Sequence, residues 1–152
     1  MMGQTRSLLV EREKGAPPLR PLTREQQTLL WQKWIVAKDY RARDRLIRVC
    51  LRHVLRIAAR YRNYHVPIST LLCEGNRGVL CALRTYDSEC GRRFVTYAAY
   101  WIRAQMLQCI LDTRDPYRVD GASRSGNCRL RLKRERARMK ALISAWNTAD
   151  EH

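Results

Sequence analysis

The sequence predicts an all-α fold, a compact bundle of about five helices, and three observations carry that expectation. Apolar residues recur at three- and four-residue steps through long segments, as one face of an α-helix requires. Residues that cap helix starts stand ahead of two of those segments. No segment reads convincingly as a strand, and no internal repeat is visible.

Residues 1–20 read as a flexible leader, mixed in charge, with Pro17 and Pro18 near its end and Pro21 just beyond. Thr23 followed by Gln26 is a capping-box pattern. It opens a helix through about Ala37 with Leu29, Leu30, Trp34 and Ile35 as apolar positions. Trp31 and Trp34 are read as packing residues of that helix. Asp39 can cap a second, longer helix to about Tyr61. On it Leu46, Ile47, Cys50, Leu51, Val54, Ile57, Ala58 and Tyr61 form an apolar face, and Arg41, Arg45, Arg48, Arg52 and Arg56 form a basic stripe opposite. After a loop from Asn63 to Pro67, a third helix spans about Ile68 to Arg84, although Gly75 and Gly78 lower its propensity. Asp87 to Gly91 is a turn, and a fourth helix covers roughly Phe94 to Leu111. Beyond Asp115-Pro116, a polar loop from Asp120 to Asn127 leads into a very basic helix from about Arg129 to Ala145. Residues 21–119 are thus expected to form one helical domain, and 120–152 a polar loop with a C-terminal helix.

A chain of 152 residues suits one domain, burying roughly two thirds of its unfolded surface. A hydrophobic content of 45% excludes wholesale disorder. No apolar run approaches the roughly 18 residues a membrane span needs, and residues 1–14 lack the pattern of a signal peptide, so the expected location is cytoplasmic. The net charge of +16 implies an anionic partner, nucleic acid before membrane surface. That charge is uneven: +3 over residues 1–40, +8 over 41–85, zero over 86–112 and +5 over 113–152. The neutral segment holds Tyr86, Phe94, Tyr97, Tyr100 and Trp101. Rings between basic helices suit a single-stranded nucleic acid, with phosphates held by cations and bases stacked at about 1–3 kcal/mol each. The same rings could be core, since Tyr97 and Trp101 share a helical face, and spacing leaves both readings open.

Enzymatic chemistry finds no residues to rest on. Cys50, Cys73, Cys81, Cys90, Cys109 and Cys128 include no C-x-x-C pair, and with His53, His65 and His152 they fit neither a metal site nor a redox motif. They are expected to be free thiols, most of them small core residues. No nucleophile has a base beside it and no glycine loop cradles phosphate, so no cofactor, metal or small-molecule substrate is expected.

Three linked stretches narrow the reading. Leu46 to Tyr64 (LIRVCLRHVLRIAARYRNY), Leu71 to Leu80 (LLCEGNRGVL) and Tyr86 to Arg103 (YDSECGRRFVTYAAYWIR) resemble region 2 of bacterial sigma-70 family factors in order, spacing and local signature. Pro18 to Ala42 looks like the end of the family's region 1.2. The pattern TYAAYWIRAQ, with a weaker similarity around Ala122 to Leu132, leans toward the heat-shock group.

The resemblance implies a sigma factor that binds core RNA polymerase and recognises and melts the minus-ten promoter element. By it, the EGN helix docks on a coiled coil of the polymerase's largest subunit, with Glu74 and Asn76 as polar contacts and Leu71, Leu72 and Leu80 as apolar contacts or core. Tyr97 matches the residue that stacks on a flipped-out adenine of the non-template strand, and Tyr100 and Trp101 match the wedge at the upstream edge of the bubble. Arg92, Arg93, Phe94 and Thr96 correspond to neighbouring single-strand contacts, and Arg103 and Gln105 face the duplex end. The chain departs from the family pattern at four places. Thr70 and Cys73 replace the Asp and Gln that usually open the polymerase contact, Cys50 replaces an Asn, and His65 replaces a Gly. The later regions, with the helix-turn-helix for the minus-35 element, are expected to be absent, leaving selection to the minus-ten element or to a partner. The alternative is a truncated or degenerate sigma-like protein, a decoy or adapter that binds polymerase without initiating. A weaker third reading is a basic helical nucleic-acid binder unrelated to polymerase. The run Arg129 to Arg136 could lie along upstream duplex DNA or be a tail.

Overall fold

A computed structural model of the chain describes residues 21–113 and 122–148. The leader and the Asp115-Pro116 break lie outside them. Among the described residues there are five α-helices, α1 (Arg24–Ala37), α2 (Tyr40–Arg60), α3 (Ile68–Thr85), α4 (Phe94–Thr113) and α5 (Ala122–Thr148), with single 3₁₀ turns at Arg62–Tyr64 and Ser88–Cys90. The fold is all-α, with no strand among the described residues.

Both start signals form as the sequence requires. Thr23 accepts from the Gln26 amide while the Gln26 side chain accepts from the Thr23 amide. Asp39 Oδ1 accepts from the amides of Arg41 and Ala42, opening α2. Between them Lys38 turns the chain with φ 53°. Helix α2 buries Leu46, Cys50, Val54, Ile57 and Ala58, while Arg41, Arg45, Arg48, Arg52 and Arg56 stay exposed, so the two-faced reading holds.

Helix α4 is the hub, touching each of the other four. Its closest neighbour is α3, and the glycines of α3 allow this. A Cβ on Gly78 would lie 2.8 Å from Ile102 Cα, Ile102 N and the Trp101 carbonyl oxygen; one on Gly75 would lie 2.5 Å from Met106 Cε and 2.7 Å from Val54 Cγ1. The residues that weaken α3 as an isolated helix therefore let it lie against the α4 backbone. Around that contact Leu71, Val79, Ala82, Leu83, Phe94, Ile102, Met106, Leu107 and Ile110 form the core. Each fully buried large side chain adds about 1.5–3 kcal/mol of transfer free energy.

Three expectations change. Helix α1 turns Leu29, Ile35 and Val36 outward and seats Gln27, Leu30, Trp31 and Trp34, because its apolar residues lie on two sides and the 27-30/31-34 ridge wins the core. Helix α5 begins at Ala122 and runs to Thr148, so residues 122–127 of the stretch expected as loop are helical, and Asp120 lies outside the described residues. Packing of Leu132, Met139 and Ile143 on the bundle outweighs the poor helix propensity of Ser, Gly and Asn near its start. Of the four cysteines whose surroundings are described, only Cys50 is buried, and Cys73 is exposed. Burial pushes the Cys50 thiol up to about 12.

Candidate nucleic-acid interface

The sequence-predicted DNA residues occupy the start and middle of α4, and the local chain explains their placement. Gly91 (φ 72°) ends the turn before α4. The Tyr86 hydroxyl donates to the Arg92 carbonyl at 2.5 Å, pinning the strand of chain that enters the helix. Gln27 does the same from α1. It is 4% exposed, donates from Nε2 to the Leu22 carbonyl at 2.9 Å, and accepts from the Val95 amide at 3.2 Å. One of the amides left open at the α4 N-terminus is thereby satisfied by a side chain 68 residues away.

Burial divides the candidates. Arg92, Arg93 and Thr96 are exposed; Tyr100, Trp101, Arg103 and Gln105 are partly buried. Phe94 and Tyr97 are 0% and 1% exposed, so neither ring offers a face to solvent in this conformation. Phe94 stands edge-on to Tyr86 at 5.3 Å, Trp31 stands edge-on to Tyr86 at 5.4 Å, and Tyr97 tilts against Tyr86 at 5.5 Å. The aromatic residues are thus a stack rooted in the core, with Tyr86 at its centre and Tyr97 above it. The Tyr97 hydroxyl lies 2.8 Å from Thr85 Oγ1 and donates to Asn147 Oδ1 at 3.0 Å. The Trp101 indole N–H is buried with no hydrogen-bond partner among the described residues.

Beside this stack, His53, Val95, Thr96, Ala99, Tyr100 and Arg103 line a cleft of about 230 Å³ between α2 and α4. It brings Thr96, Tyr100 and Arg103 together, on the side of α2 next to the exposed Arg52 and Arg56. Burial lowers the His53 pKa, and the nearby Arg56 and Arg52 lower it further, which favours the neutral imidazole. A neutral ring with one donor and one acceptor, among cations and a tyrosine, suits a base edge better than a phosphate. His53 escapes a reading from sequence because only the fold sets α2 against α4.

The polymerase-contact candidates lie on α3. Leu71 is fully buried and serves the core, while Leu72 is partly buried and Leu80 is 46% exposed. Glu74 pairs with Arg77 at 3.5 Å. Asn76 holds its Oδ1 buried and unpartnered among the described residues. Thr70 and Cys73 are exposed, so these departures fall on the open side of the helix.

Helix α5 runs antiparallel to α4, from Arg129, which donates to the Leu111 carbonyl, to Trp146 beside Tyr97. Along the way Arg136 donates to Gln108 Oε1 at 2.7 Å and Glu135 accepts from the Tyr61 hydroxyl at 2.8 Å. Burial and that carboxylate push the Tyr61 pKa up. Lys133, Arg134, Arg138 and Lys140 remain exposed. Trp146 stands edge-on to Tyr100 at 4.7 Å, tilts over Tyr97 at 5.8 Å, and receives Arg92 against its ring at 4.9 Å. The sequence carries a signal for it, since Met139, Leu142, Ile143 and Trp146 keep helical spacing past Ala145. Among the described residues no three His, Cys, Asp or Glu side chains are grouped to hold a metal, and no helix is long and apolar enough to cross a membrane.

The family Sigma-70 region 2 matches residues 46–114, which span α2, α3 and α4. The RNA polymerase sigma factor RpoH of Caulobacter vibrioides is 30% identical over 131 residues, covering 86% of this chain and 43% of the relative. RpoH of Zymomonas mobilis is 32% identical over 135 residues, covering 89% and 44%. The RNA polymerase sigma-C factor of Myxococcus xanthus is 36% identical over 91 residues, covering 60% and 31%. The chain therefore spans less than half the length of these relatives. The RpoH matches accord with the heat-shock leaning of the TYAAYWIRAQ segment, and the chain carries a sigma-70 region 2 across its three central helices.

Proposed function

We propose that this chain acts as a sigma factor: it binds core RNA polymerase through α3 and recognises and opens the minus-ten promoter element with α4. The observation that carries the reading is the aromatic stack around Tyr86 and Tyr97, with Thr96, Tyr100 and Arg103 gathered in the cleft beside it, Arg92 and Arg93 exposed just before α4, and exposed arginines on α2. Cations there hold the phosphates of the non-template strand. Tyr100 and Trp101 wedge the upstream edge of the bubble, Tyr97 stacks on the extruded adenine, and Gln105 and Arg103 meet the duplex end. Phe94 supports the tyrosines from below through Tyr86. On the other side Leu72, Glu74, Asn76 and Leu80 meet a coiled coil of the polymerase's largest subunit, with Leu71 holding α3 in register from the core.

No nucleotide chemistry is asked of this chain. Opening DNA costs a few kcal/mol per unstacked base, and a ring fixed in advance lowers that cost because its own ordering was met when the protein folded. The second reading, a decoy or adapter that holds polymerase without opening DNA, draws on Thr70 and Cys73 at the docking helix and on the burial of Tyr97.

The test mixes purified chain with core polymerase and a fluorescent single strand carrying the minus-ten sequence of the non-template strand. The proposal expects the chain to enter the polymerase complex and to confer binding of that strand over a scrambled one, with Tyr100→Ala and Arg103→Ala weakening it. Entry into the complex without strand binding selects the decoy. Salt-sensitive DNA binding with no affinity for polymerase leaves only a generic nucleic-acid binder.

A further inference from the structure

We infer that the last turn of α5 covers the strand-binding face of α4, with the Trp146 indole seated where the single strand's base stacks, so that the chain holds its own recognition ring closed until that turn is displaced. The inference rests on the proposed role of Tyr97 and Tyr100 and adds their regulation.

Four contacts of this one turn meet four groups of the proposed interface. The indole tilts by 39° over Tyr97, stands at 86° to Tyr100, and takes the Arg92 guanidinium against its face, while Asn147 accepts from the Tyr97 hydroxyl. A nucleotide on this surface would use the same groups: a flat ring against the tyrosines, a cation beside it, and an acceptor for the phenol. Indole is a fused five- and six-membered ring system, the outline of a purine, so Trp146 makes the contacts of a base without being one. Cover and ligand cannot occupy the Tyr97 face together.

The rest of α5 is built to stay while this turn leaves. Leu132, Met139 and Ile143 are buried, and Arg136 and Glu135 tie the helix to α4 and α2. Beyond Ile143 the only partly buried side chain among the described residues is Trp146; Ser144, Ala145, Asn147 and Thr148 are exposed. Fraying of a helix end by one turn is the smallest opening a helical protein makes. Unwinding the turn after Ile143 would uncover Tyr97 and leave the core intact. A partner that binds the chain with this turn displaced would switch the interface on.

The test is fluorescence anisotropy of the single-stranded minus-ten oligonucleotide with the full chain, alone and with core polymerase, comparing wild type, Trp146→Ala and Asn147→Ala. Removing the indole removes the competitor, and Trp146→Ala is expected to bind the strand roughly fivefold to tenfold tighter, the scale of one or two aromatic contacts. Asn147→Ala, at an exposed position, should shift affinity in the same direction by less and guards against a Trp146→Ala chain that folds poorly. Wild-type binding that both variants leave unchanged overturns the cover while keeping the proposed function. Weaker binding by both also overturns it, by making Trp146 one of the DNA-binding rings. No strand binding by any form, with or without polymerase, fails the proposed function itself.

Discussion

The contact between α3 and α4 gives the sharpest stability prediction, and Gly78→Ala is its perturbation. The added Cβ would sit 2.8 Å from three atoms, Ile102 Cα, Ile102 N and the Trp101 carbonyl oxygen, or 0.6 Å short of the 3.4 Å where ordinary contact begins. All three are α4 backbone, so no side chain can rotate away and the helices must part. Overpacking of this kind costs about 1–3 kcal/mol and occasionally more. Alanine returns up to about 1 kcal/mol of helix propensity. With only backbone to yield, the upper end applies, and the net loss should be about 2 kcal/mol, a large fraction of the ~5–15 kcal/mol that holds a domain together. For a chain of this size that lowers Tm by roughly 4–8 °C. Urea unfolding followed by circular dichroism measures it. Gly75→Ala is the control: it meets the flexible end of Met106 at 2.5 Å and the stiffer Val54 at 2.7 Å, and should cost about half as much. A Gly78→Ala protein as stable as wild type, or more so, would refute the close approach.

Three further outcomes follow from single residues. Gln27→Leu keeps the volume but strands the Leu22 carbonyl and the Val95 amide, and should cost about 2–3 kcal/mol in urea unfolding. His65 sits in the left-handed region at φ 60°, so His65→Gly should stabilise by about 1 kcal/mol in the same assay, the strain relieved less the entropy glycine adds to the unfolded chain. Burial lifts the Cys50 thiol from 9.0 to about 12, so its contribution is intact below the unfolded value and lost as pH rises. Stability should hold to about pH 9 and then fall by up to about 1.4 kcal/mol per unit from this group, with the raised Tyr61 hydroxyl adding to the fall at higher pH. Cys50→Ala should remove the first part of that slope in denaturation curves taken from pH 8 to 11.

The helices were legible because their periodicity and caps are local. Thr23, Gln26 and Asp39 act within one turn of chain, and the α2 face needs only its own sequence. What stayed hidden depends on which helices meet. Gly75 and Gly78 look like weak points until α4 lies against them, and Gln27 looks like a surface residue until its partners in Leu22 and Val95 are placed. The aromatic residues could be core or platform by spacing, and they divide: Phe94, Tyr86 and Tyr97 are buried, while Tyr100 and Trp101 sit at the edge. His53 enters the cleft by packing alone. Trp146 lay one residue past the expected end of its helix, yet its helical spacing from Met139 and Ile143 was there to be read.

The most direct test of the central claim is strand opening itself. Core polymerase, the chain and a duplex promoter carrying a minus-ten element are mixed, and single-strand-specific oxidation of thymines by permanganate reports melting. Thymine reactivity within the minus-ten element is expected to need both proteins and to be lost with Trp101→Ala while the chain still enters the polymerase complex. A chain that binds polymerase and leaves every thymine of that element protected would contradict it.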